Sequence, residues 1–409
     1  MHRRAIVSSL SAIVGAAWAR PSAGARPGDE GQADGAARDP GWSAVRDVFR
    51  RRVQEAGIVG ASLVFVRDGR VAGEAHEGWQ DEVGRVPVDD GTIFHWASVT
   101  KTFTGIAIMQ LRDRGLVSLD APVVELVPEL REIHNPFGDV SQVRVRHLMS
   151  HSAGFRAATW PWGGDQPWHP FEPTRWEQLV AMLPYTELLF EPGTKYSYSN
   201  PGVIFLGRIV ALVSGDDYEV YVTKNILMPL EMHRTFFDRA PYHLRAHKSH
   251  SYTRNDAGLH EERFDFDTGI TVSNGGLNAP LPDMARYLAF LAGDPSRRAA
   301  HEGVLPRASL EEMWQPVIEA RDGEGGSGGD VRAALSFFVE RHDGVELVGH
   351  SGDQNGFISH VYVHRPSRSA YAVSFNTDAS TTSADARRTT RAVDDDVRAA
   401  IARAYWRAA

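Results

Sequence analysis

Strand-like patterns lie near both ends of this 409-residue chain, and helical patterns fill its middle. Near the N-terminus, two apolar runs flank the turn signal Arg67-Asp68-Gly69, which predicts a β-hairpin. Near the C-terminus, three strand-like runs follow one another: VELVGHSG, GFISHVYVHRP and SAYAVSFN. Because strands from both ends can share one sheet, we expect a mixed fold of helices and strands (α/β in the broad sense), of the α+β class. It would have an antiparallel sheet of about five strands, flanked by helices, with a mostly helical lobe inserted at about residues 116–260.

The N-terminus has the pattern of a secretory signal peptide. Basic MHRR precedes the apolar run AIVSSLSAIVGAAWA, which is short for a bilayer span. Small residues ending at Ala19 and at Ala25 offer cleavage sites, so we expect residues 1–19 to direct export to the periplasm or the medium. An uncleaved membrane anchor is the alternative. Residues 20–40 are rich in proline, glycine and alanine and predict a disordered linker, and residues 41–409 would form the folded domain.

Composition excludes several classes of function. The formal charge is −8 and no run of lysine and arginine occurs, so we expect no nucleic-acid partner. The absence of cysteine excludes disulfides and thiolate metal sites. The 17 histidines include no H-E-x-x-H pattern, and we expect neither a metal nor a cofactor. After the N-terminal run, no segment is apolar enough to predict a membrane span.

Ser98 and Lys101 lie three residues apart at the head of the predicted helix SVTKTFTGIAIMQLRDRG. This spacing puts both side chains on one face of a helix. The N–H groups of a helix N-terminus favour negative charge that develops near the serine. A desolvated lysine can act as a base toward a hydroxyl, which is a weak nucleophile by itself. The alternative is that Ser98 only caps the helix and Lys101 is solvated.

Two further segments supply groups for the same chemistry. Residues 195–202 read KYSYSNPG and contain Tyr198, a proton carrier, and Asn200, an amide that can donate and accept. Residues 349–353 read GHSGD at the end of a strand-like run. With S-x-x-K, Y-x-N and H-x-G elements in this order, the chain resembles the serine β-lactamase and penicillin-binding-protein superfamily, in its class C β-lactamase-like branch. The resemblance covers about residues 45–375 and includes the segments HLMSHSAGF, EPGTKYSYSNPGVIFLG and SNGGLNAPLPDMARYL.

The resemblance implies roles for the catalytic groups. Ser98 would attack a carbonyl carbon and form an acyl-enzyme. Lys101 would take or relay the proton of the hydroxyl, and Tyr198 would deliver a proton to the leaving group. Asn200 would hold the amide of the substrate and orient Lys101.

The resemblance also implies a substrate-binding strand. His350, Ser351 and Gly352 would lie along it, with Gly352 leaving room for the backbone of the substrate. The backbone N–H groups of Ser98 and Asp353 would form the oxyanion hole. Many relatives carry lysine at the position of His350. Since histidine is mostly neutral near pH 7, recognition of a substrate carboxylate by this residue is not expected to be strong.

An aromatic segment and the histidine variant favour particular substrates. Residues 160–176 read WPWGGDQPWHPFEPTRW, and Trp160 and Trp162 could form an apolar wall beside Ser98, or the loop could pack on its own rings. We expect a small-molecule or peptide substrate, with a carboxylesterase or D-amino-acid-type peptidase ahead of a penicillin-binding DD-carboxypeptidase and a β-lactamase. A non-catalytic β-lactam sensor or scaffold is the alternative from another class. The GHSGD segment also comes near the G-x-S-x-G elbow of other hydrolases, but Asp353 stands where glycine is needed.

Overall fold

The computed structural model describes residues 39–156, 173–262, 268–320, 330–379 and 388–407. The predicted signal peptide, almost all of the predicted linker, and Trp160 and Trp162 lie outside the described residues. None of the helices in the described ranges has the length and apolar character needed to cross a membrane.

The described regions alternate short helices with strands. The strands are β1 (Gly60–Arg67), β2 (Arg70–Asp81), β3 (Val86–Pro87), β4 (Ile93–His95), β5 (Phe236–Phe237), β6 (Ser251–Asn255), β7 (Gly258–Glu262), β8 (Leu277–Pro280), β9 (Ile318–Glu319), β10 (Asp330–Ala333), β11 (Phe338–His342), β12 (Val345–Gln354), β13 (Phe357–His364), β14 (Ser369–Phe375) and β15 (Thr377–Asp378). The α-helices are α1 (Pro40–Ala56), α2 (Thr100–Asp113), α3 (Val123–Leu126), α4 (Val145–Met149), α5 (Trp176–Val180), α6 (Asn200–Ser214), α7 (Tyr218–Val222), α8 (Val272–Gly275), α9 (Leu281–Ala292), α10 (Arg298–Val304), α11 (Arg307–Met313) and α12 (Thr390–Ile401).

The main sheet contains nine strands in the order β3-β2-β1-β14-β13-β12-β11-β10-β9, and all its pairings are antiparallel. The five predicted strands are β2, β1, β14, β13 and β12, which are contiguous in it. The α+β class is therefore confirmed, while the predicted size of the sheet is wrong. Four short strands extend it: β3 at one end, and β11, β10 and β9 at the other.

Both faces of the sheet are covered, because its central strands alternate between two apolar layers. Leu63 and Phe65 of β1 pack in one layer with residues of α1 and α12. Val64 and Val66 pack in the other layer, together with α2 and α9. Strands buried on both faces read as continuous apolar runs, as β1 does.

The inserted region from about residue 116 to 260 has mostly helical secondary structure in its described part, as expected, and also contains three short strands. It contains α3 to α7, but also β5, β6 and β7. These strands belong to two small sheets, in the orders β15-β6-β7 and β4-β8-β5. The second of these sheets lies directly before the predicted nucleophile, since β4 ends three residues ahead of Ser98.

Candidate active site

Ser98 lies on a tight turn in front of α2. A 3₁₀ turn spans Ala97–Val99, and Ala97 has a φ of +45°, which few non-glycine residues adopt. The Thr100 hydroxyl secures this turn, since it donates to the Ala97 carbonyl at 2.6 Å and accepts from the Leu277 N–H at 3.0 Å. The residue that caps α2 is Val99, without a side-chain hydrogen bond, so Ser98 is not a capping residue.

Lys101 is fully buried beneath Ser98. Its Nζ donates to the Ser98 Oγ at 2.9 Å and to the backbone carbonyl of Asn274 at 2.8 Å. The same Nζ lies 4.9 Å from the centroid of the Tyr198 ring. The alternative of a solvated first-turn lysine therefore does not describe this structure. The arrangement fixes a basic group beside a hydroxyl, which is the geometry that activates a serine nucleophile.

Tyr198 is held by a histidine that the motif analysis did not single out. The ring of His151 lies 4.5 Å from the Tyr198 ring, centroid to centroid. His151 Nδ1 accepts the backbone N–H of Ser199 at 3.1 Å, and its carbonyl accepts the N–H of Ser197 at 2.9 Å. Burial, with a smaller contribution from Lys101, holds the pKa of His151 well below its usual value. His151 is thus a neutral packing partner that fixes the backbone on both sides of Tyr198.

Asn200 is the first residue of α6. Ser199 caps this helix, accepting the Gly202 N–H at 3.0 Å, and Pro201 follows in the first turn. This cap fixes the chain between Tyr198 and Asn200. The Asn200 Oδ1 is buried and has no hydrogen-bond partner within the described residues. A buried acceptor without a partner is costly, and a substrate N–H would satisfy it.

The predicted substrate strand is the second half of β12. β11 pairs with β12 only as far as Gly349, so in the described structure residues 350–354 have a strand neighbour on the β13 side alone. His350 is buried, and its ring lies 5.1 Å from that of Phe338 and 6.3 Å from that of Tyr198. Its Nδ1 donates to the Ser351 carbonyl at 2.6 Å. Burial, and then the charge of Lys101, lowers the pKa of His350 to about 3, so the ring is neutral at pH 7.

Gly352 lies where β12 meets the nucleophile turn. A Cβ at this position would lie 2.3 Å from the Trp96 carbonyl oxygen and 2.5 Å from the Ser359 Oγ. The absence of a side chain at this position therefore lets β12 approach the nucleophile turn. Ser359 donates to the same Trp96 carbonyl at 3.0 Å. This hydrogen bond joins β13 to the nucleophile turn, directly opposite Gly352, which is the cross-strand partner of Ser359.

Ser351 and Asp353, the remaining predicted residues, lie at the edge of the contact between β12 and the nucleophile turn. Ser351 is partly exposed. The Asp353 side chain is exposed and lies 3.4 Å from the Arg391 guanidinium, so only its backbone is available to the site. Trp96 is fully buried and donates to the Ala279 carbonyl at 3.0 Å, which makes it a core residue. Within the described ranges no group of three or more acidic or histidine side chains could hold a metal.

Sequence reasoning missed Asn274 as the anchor of Lys101. The only available signal was the segment SNGG at residues 273–276, which had been noted as similar to the superfamily but given no role. The anchoring atom is a backbone carbonyl, so no residue type announces it.

Comparisons with known proteins identify the family of this chain. A family model described as Beta-lactamase matches residues 45–395. Protein flp from Staphylococcus aureus is 28% identical over 317 residues, which are 78% of this chain and 59% of that protein. The chain thus spans less than two thirds of the length of that curated relative.

Two solved structures have a similar fold. The octameric penicillin-binding protein homologue from Pyrococcus abyssi is 27% identical, with a TM-score of 0.69 over 82% of this chain and 73% of that chain. The D-amino acid amidase from Ochrobactrum anthropi is 21% identical, with a TM-score of 0.71 over 88% of this chain and 98% of that chain. At that lower identity the second likeness concerns the fold alone.

Proposed function

Because the chain belongs to the β-lactamase family of serine hydrolases, we propose that it is an exported hydrolase that works through an acyl-enzyme at Ser98. Its activity is that of a carboxylesterase or a D-amino-acid-type peptidase. The observation that carries this proposal is the hydrogen bond of 2.9 Å between the buried Lys101 Nζ and the Ser98 Oγ. A capping serine and a surface lysine would not require such burial.

The reaction begins when the Ser98 Oγ attacks the carbonyl carbon of the substrate. For this step the Lys101 amine is neutral, and the Ser98 hydroxyl turns to donate its proton to Nζ across the same 2.9 Å. The negative charge on the carbonyl oxygen is stabilised by the backbone N–H groups of Ser98 and Asp353. Tyr198, packed against Lys101, passes its proton to the alcohol or amine that leaves, and regains one from the Lys101 ammonium, so both groups return to their starting state. Water then attacks the ester of Ser98, releases the acid and restores the serine.

The choice of substrate follows from His350. Its neutral ring, buried beside Phe338 and Tyr198, supplies no positive charge for a terminal carboxylate of the substrate. Esters and D-aminoacyl amides therefore precede D-Ala-D-Ala peptides and β-lactams among the expected substrates.

Asn200 favours substrates that carry an amide N–H. Its unpartnered Oδ1 can accept an N–H of an amide substrate, such as the acylamino group of an aminoacyl compound. A penicillin-binding protein or a β-lactamase uses the same nucleophile, so these activities remain the second candidate.

A sensor or scaffold is the competing class. A sensor would be acylated by a β-lactam and would not turn over, whereas a scaffold would not be acylated at all. The experiment is a panel of p-nitrophenyl esters, D-aminoacyl p-nitroanilides and benzylpenicillin, tested on the wild type and on Ser98→Ala. The exposed Ser118→Ala is the matched control. Hydrolysis of an ester or anilide that persists in Ser98→Ala would overturn the proposal.

Export is tested separately, by the N-terminal sequence of the protein recovered from a secreting bacterial host. Processing after Ala19 or Ala25 is expected. Recovery of the intact N-terminus in the membrane fraction would instead identify an uncleaved anchor.

A further inference from the structure

His95 connects the three segments that build the candidate site. It is the last residue of β4, is buried, and lies three residues before Ser98. Its Nε2 lies 2.9 Å from the Gln354 Oε1, at the end of β12. Its Nδ1 lies 3.2 Å from the Oδ1 of Asn278, its cross-strand partner on β8. Neither contact was predicted, and the acyl-transfer steps themselves do not use this side chain.

Each partner of His95 lies next to a catalytic element. Gln354 directly follows Asp353, whose N–H is one of the two proposed oxyanion donors. Asn278 lies four residues after Asn274, whose carbonyl binds Lys101. Gly275 lets the Gln354 side chain come close, since a Cβ at position 275 would lie 2.9 Å from the Gln354 Oε1. The nucleophile turn, the oxyanion strand and the lysine anchor therefore meet around one imidazole.

The hairpin between β12 and β13 also rests on this ring. Its two-residue turn is Asn355-Gly356, with φ values of +47° and +83°, as favoured in tight hairpins. Phe357, on the far side of the turn, lies 5.9 Å from the His95 ring, centroid to centroid. Both residues that flank the turn thus contact His95, so the imidazole fixes the tip of the hairpin relative to Ser98.

The partners of His95 determine which of its two ring nitrogens carries the proton. Asn278 Nδ2 donates to the Gly276 carbonyl at 3.0 Å, so its Oδ1 must accept from His95 Nδ1–H. Burial lowers the pKa of His95 to about 4, and the neutral ring has only one N–H to give. Nε2 then has no proton to give to the Gln354 Oε1 that lies 2.9 Å away. The hydrogen bond forms when the terminal amide of Gln354 is turned by 180°, so that its NH₂ group donates to Nε2. Gln354 of β12 thus donates to His95, and His95 in turn donates to Asn278 of β8.

We propose that His95 is a positioning residue, which holds the oxyanion strand in register with the nucleophile turn through Gln354. This inference rests on the proposed function of Ser98. The contact that matters for catalysis is the one between Nε2 and Gln354, because it alone reaches β12. The contact with Asn278 stays between the paired strands β4 and β8.

Two substitutions separate these contacts. The terminal amide of glutamine lies near the position of imidazole Nε2, and that of asparagine lies near Nδ1. His95→Gln therefore keeps a partner for Gln354, and His95→Asn keeps only the contact with Asn278. Gln354→Leu removes the same hydrogen bond from the other side. His364→Gln is the matched control, because this buried histidine lies at the opposite end of β13 and contacts Ser367.

The measurement is steady-state hydrolysis of p-nitrophenyl acetate, together with the thermal unfolding of each variant. For His95→Asn and for Gln354→Leu we expect kcat to fall about 10- to 100-fold, while KM stays within about threefold. His95→Gln should retain kcat within about threefold. The double variant His95→Asn/Gln354→Leu should lose no more than either single variant, because both remove one contact.

The results separate a failure of the role proposed for His95 from a failure of the role proposed for Ser98. A folded His95→Asn with the kcat of His364→Gln would overturn the role of His95 and leave the role of Ser98 intact. Additive losses in the double variant would also overturn it. If His95→Asn does not fold, Gln354→Leu alone tests the role of His95. Gln354 lies next to the hairpin turn, and its substitution leaves the His95 side chain intact. A wild-type protein that no ester or amide acylates would overturn the proposed function, and the catalytic role of His95 with it.

Discussion

The backbone carbonyl of Asn274 accepts a hydrogen bond of 2.8 Å from the Lys101 Nζ, and so fixes the amine beside the Ser98 hydroxyl. The anchor comes from a segment 173 residues further along the chain, at the end of α8. Because the anchoring atom belongs to the backbone, the identity of the side chain at this position should matter less than its location.

Asn274→Ala tests this directly. The substitution keeps the carbonyl, so Lys101 should keep its position, and esterase activity should stay within about threefold of the wild type. Lys101→Met, which removes the amine, should abolish acylation, with a loss of about 10²–10⁴-fold or more. Rates of p-nitrophenyl ester hydrolysis compare the two. A loss in Asn274→Ala as large as that in Lys101→Met would show that the side chain itself takes part.

Tyr198→Phe should separate packing from proton transfer. The phenylalanine ring keeps the contacts with His151 and Lys101, so the free energy of unfolding should change by less than about 1 kcal/mol. The hydroxyl that passes the proton is lost, and acylation should slow by about 10²–10⁴-fold. Stopped-flow release of p-nitrophenol, with thermal unfolding alongside, measures both effects. Unchanged acylation would assign the proton transfer to another group.

Gly352→Ala should destabilise the contact between β12 and the nucleophile turn. Its Cβ would lie 2.3 Å from the backbone oxygen of Trp96, which cannot move without distorting the turn. We expect a loss of about 1–3 kcal/mol in the free energy of unfolding, with a loss of activity. Gly303→Ala in α10 is the matched control, because a Cβ there meets nothing within 4 Å, and it should stabilise by about 0.5–1 kcal/mol. Equal stability of the two variants in urea unfolding would contradict the packing described here.

Buried neutral histidines should make the stability depend on pH. Burial lowers the pKa of His95 to about 4 and the pKa values of His350 and His360 to about 3. In the unfolded chain each group titrates near its ordinary value of about 6.5. Below that pH the unfolded state binds protons that the folded state does not, so the free energy of unfolding falls as the pH drops. Above a pH of about 6.5, the contribution of these neutral rings to the free energy of unfolding no longer changes with pH.

The expected slope is about 1.4 kcal/mol per pH unit for each of these histidines at pH values between the two pKa values. Urea unfolding at several pH values from about 7.5 down to about 5 measures it. His360→Phe should reduce the slope by the contribution of one histidine, because it removes one titrating group. A phenylalanine ring can keep the stacked position of His360 beside Tyr362. Stability that does not change over this range would show that these rings are protonated in the folded protein or solvated.

The central strands are predictable from the sequence, because long apolar runs such as GFISHVYVH have a clear signature. The four additional strands of the main sheet were missed for a physical reason. β3 and β9 have two residues each, and β10 and β11 have four and five, which is too short for a period of two to stand out. Their pairing depends on a neighbouring strand that is already in place.

The same distinction holds at the site. Ser98, Lys101 and Tyr198 were found because their chemistry requires particular residue types at fixed spacing. His95 and Asn274 could not be found in this way, since one acts through packing between segments and the other through its backbone. Gly352 was predicted to lie on the substrate strand, but its close approach to the Trp96 carbonyl could not be predicted, because only the fold places that carbonyl against it.

The central claim is that Ser98 is the nucleophile, and intact-mass spectrometry of the acylated protein tests it most directly. The wild type, Ser98→Ala and Ser118→Ala are mixed with p-nitrophenyl acetate or benzylpenicillin and quenched in acid. The account predicts an acyl adduct in the wild type and in Ser118→Ala with at least one reagent, mapped to the peptide that contains Ser98, and no adduct in Ser98→Ala. An adduct of the same mass and yield in Ser98→Ala would contradict it.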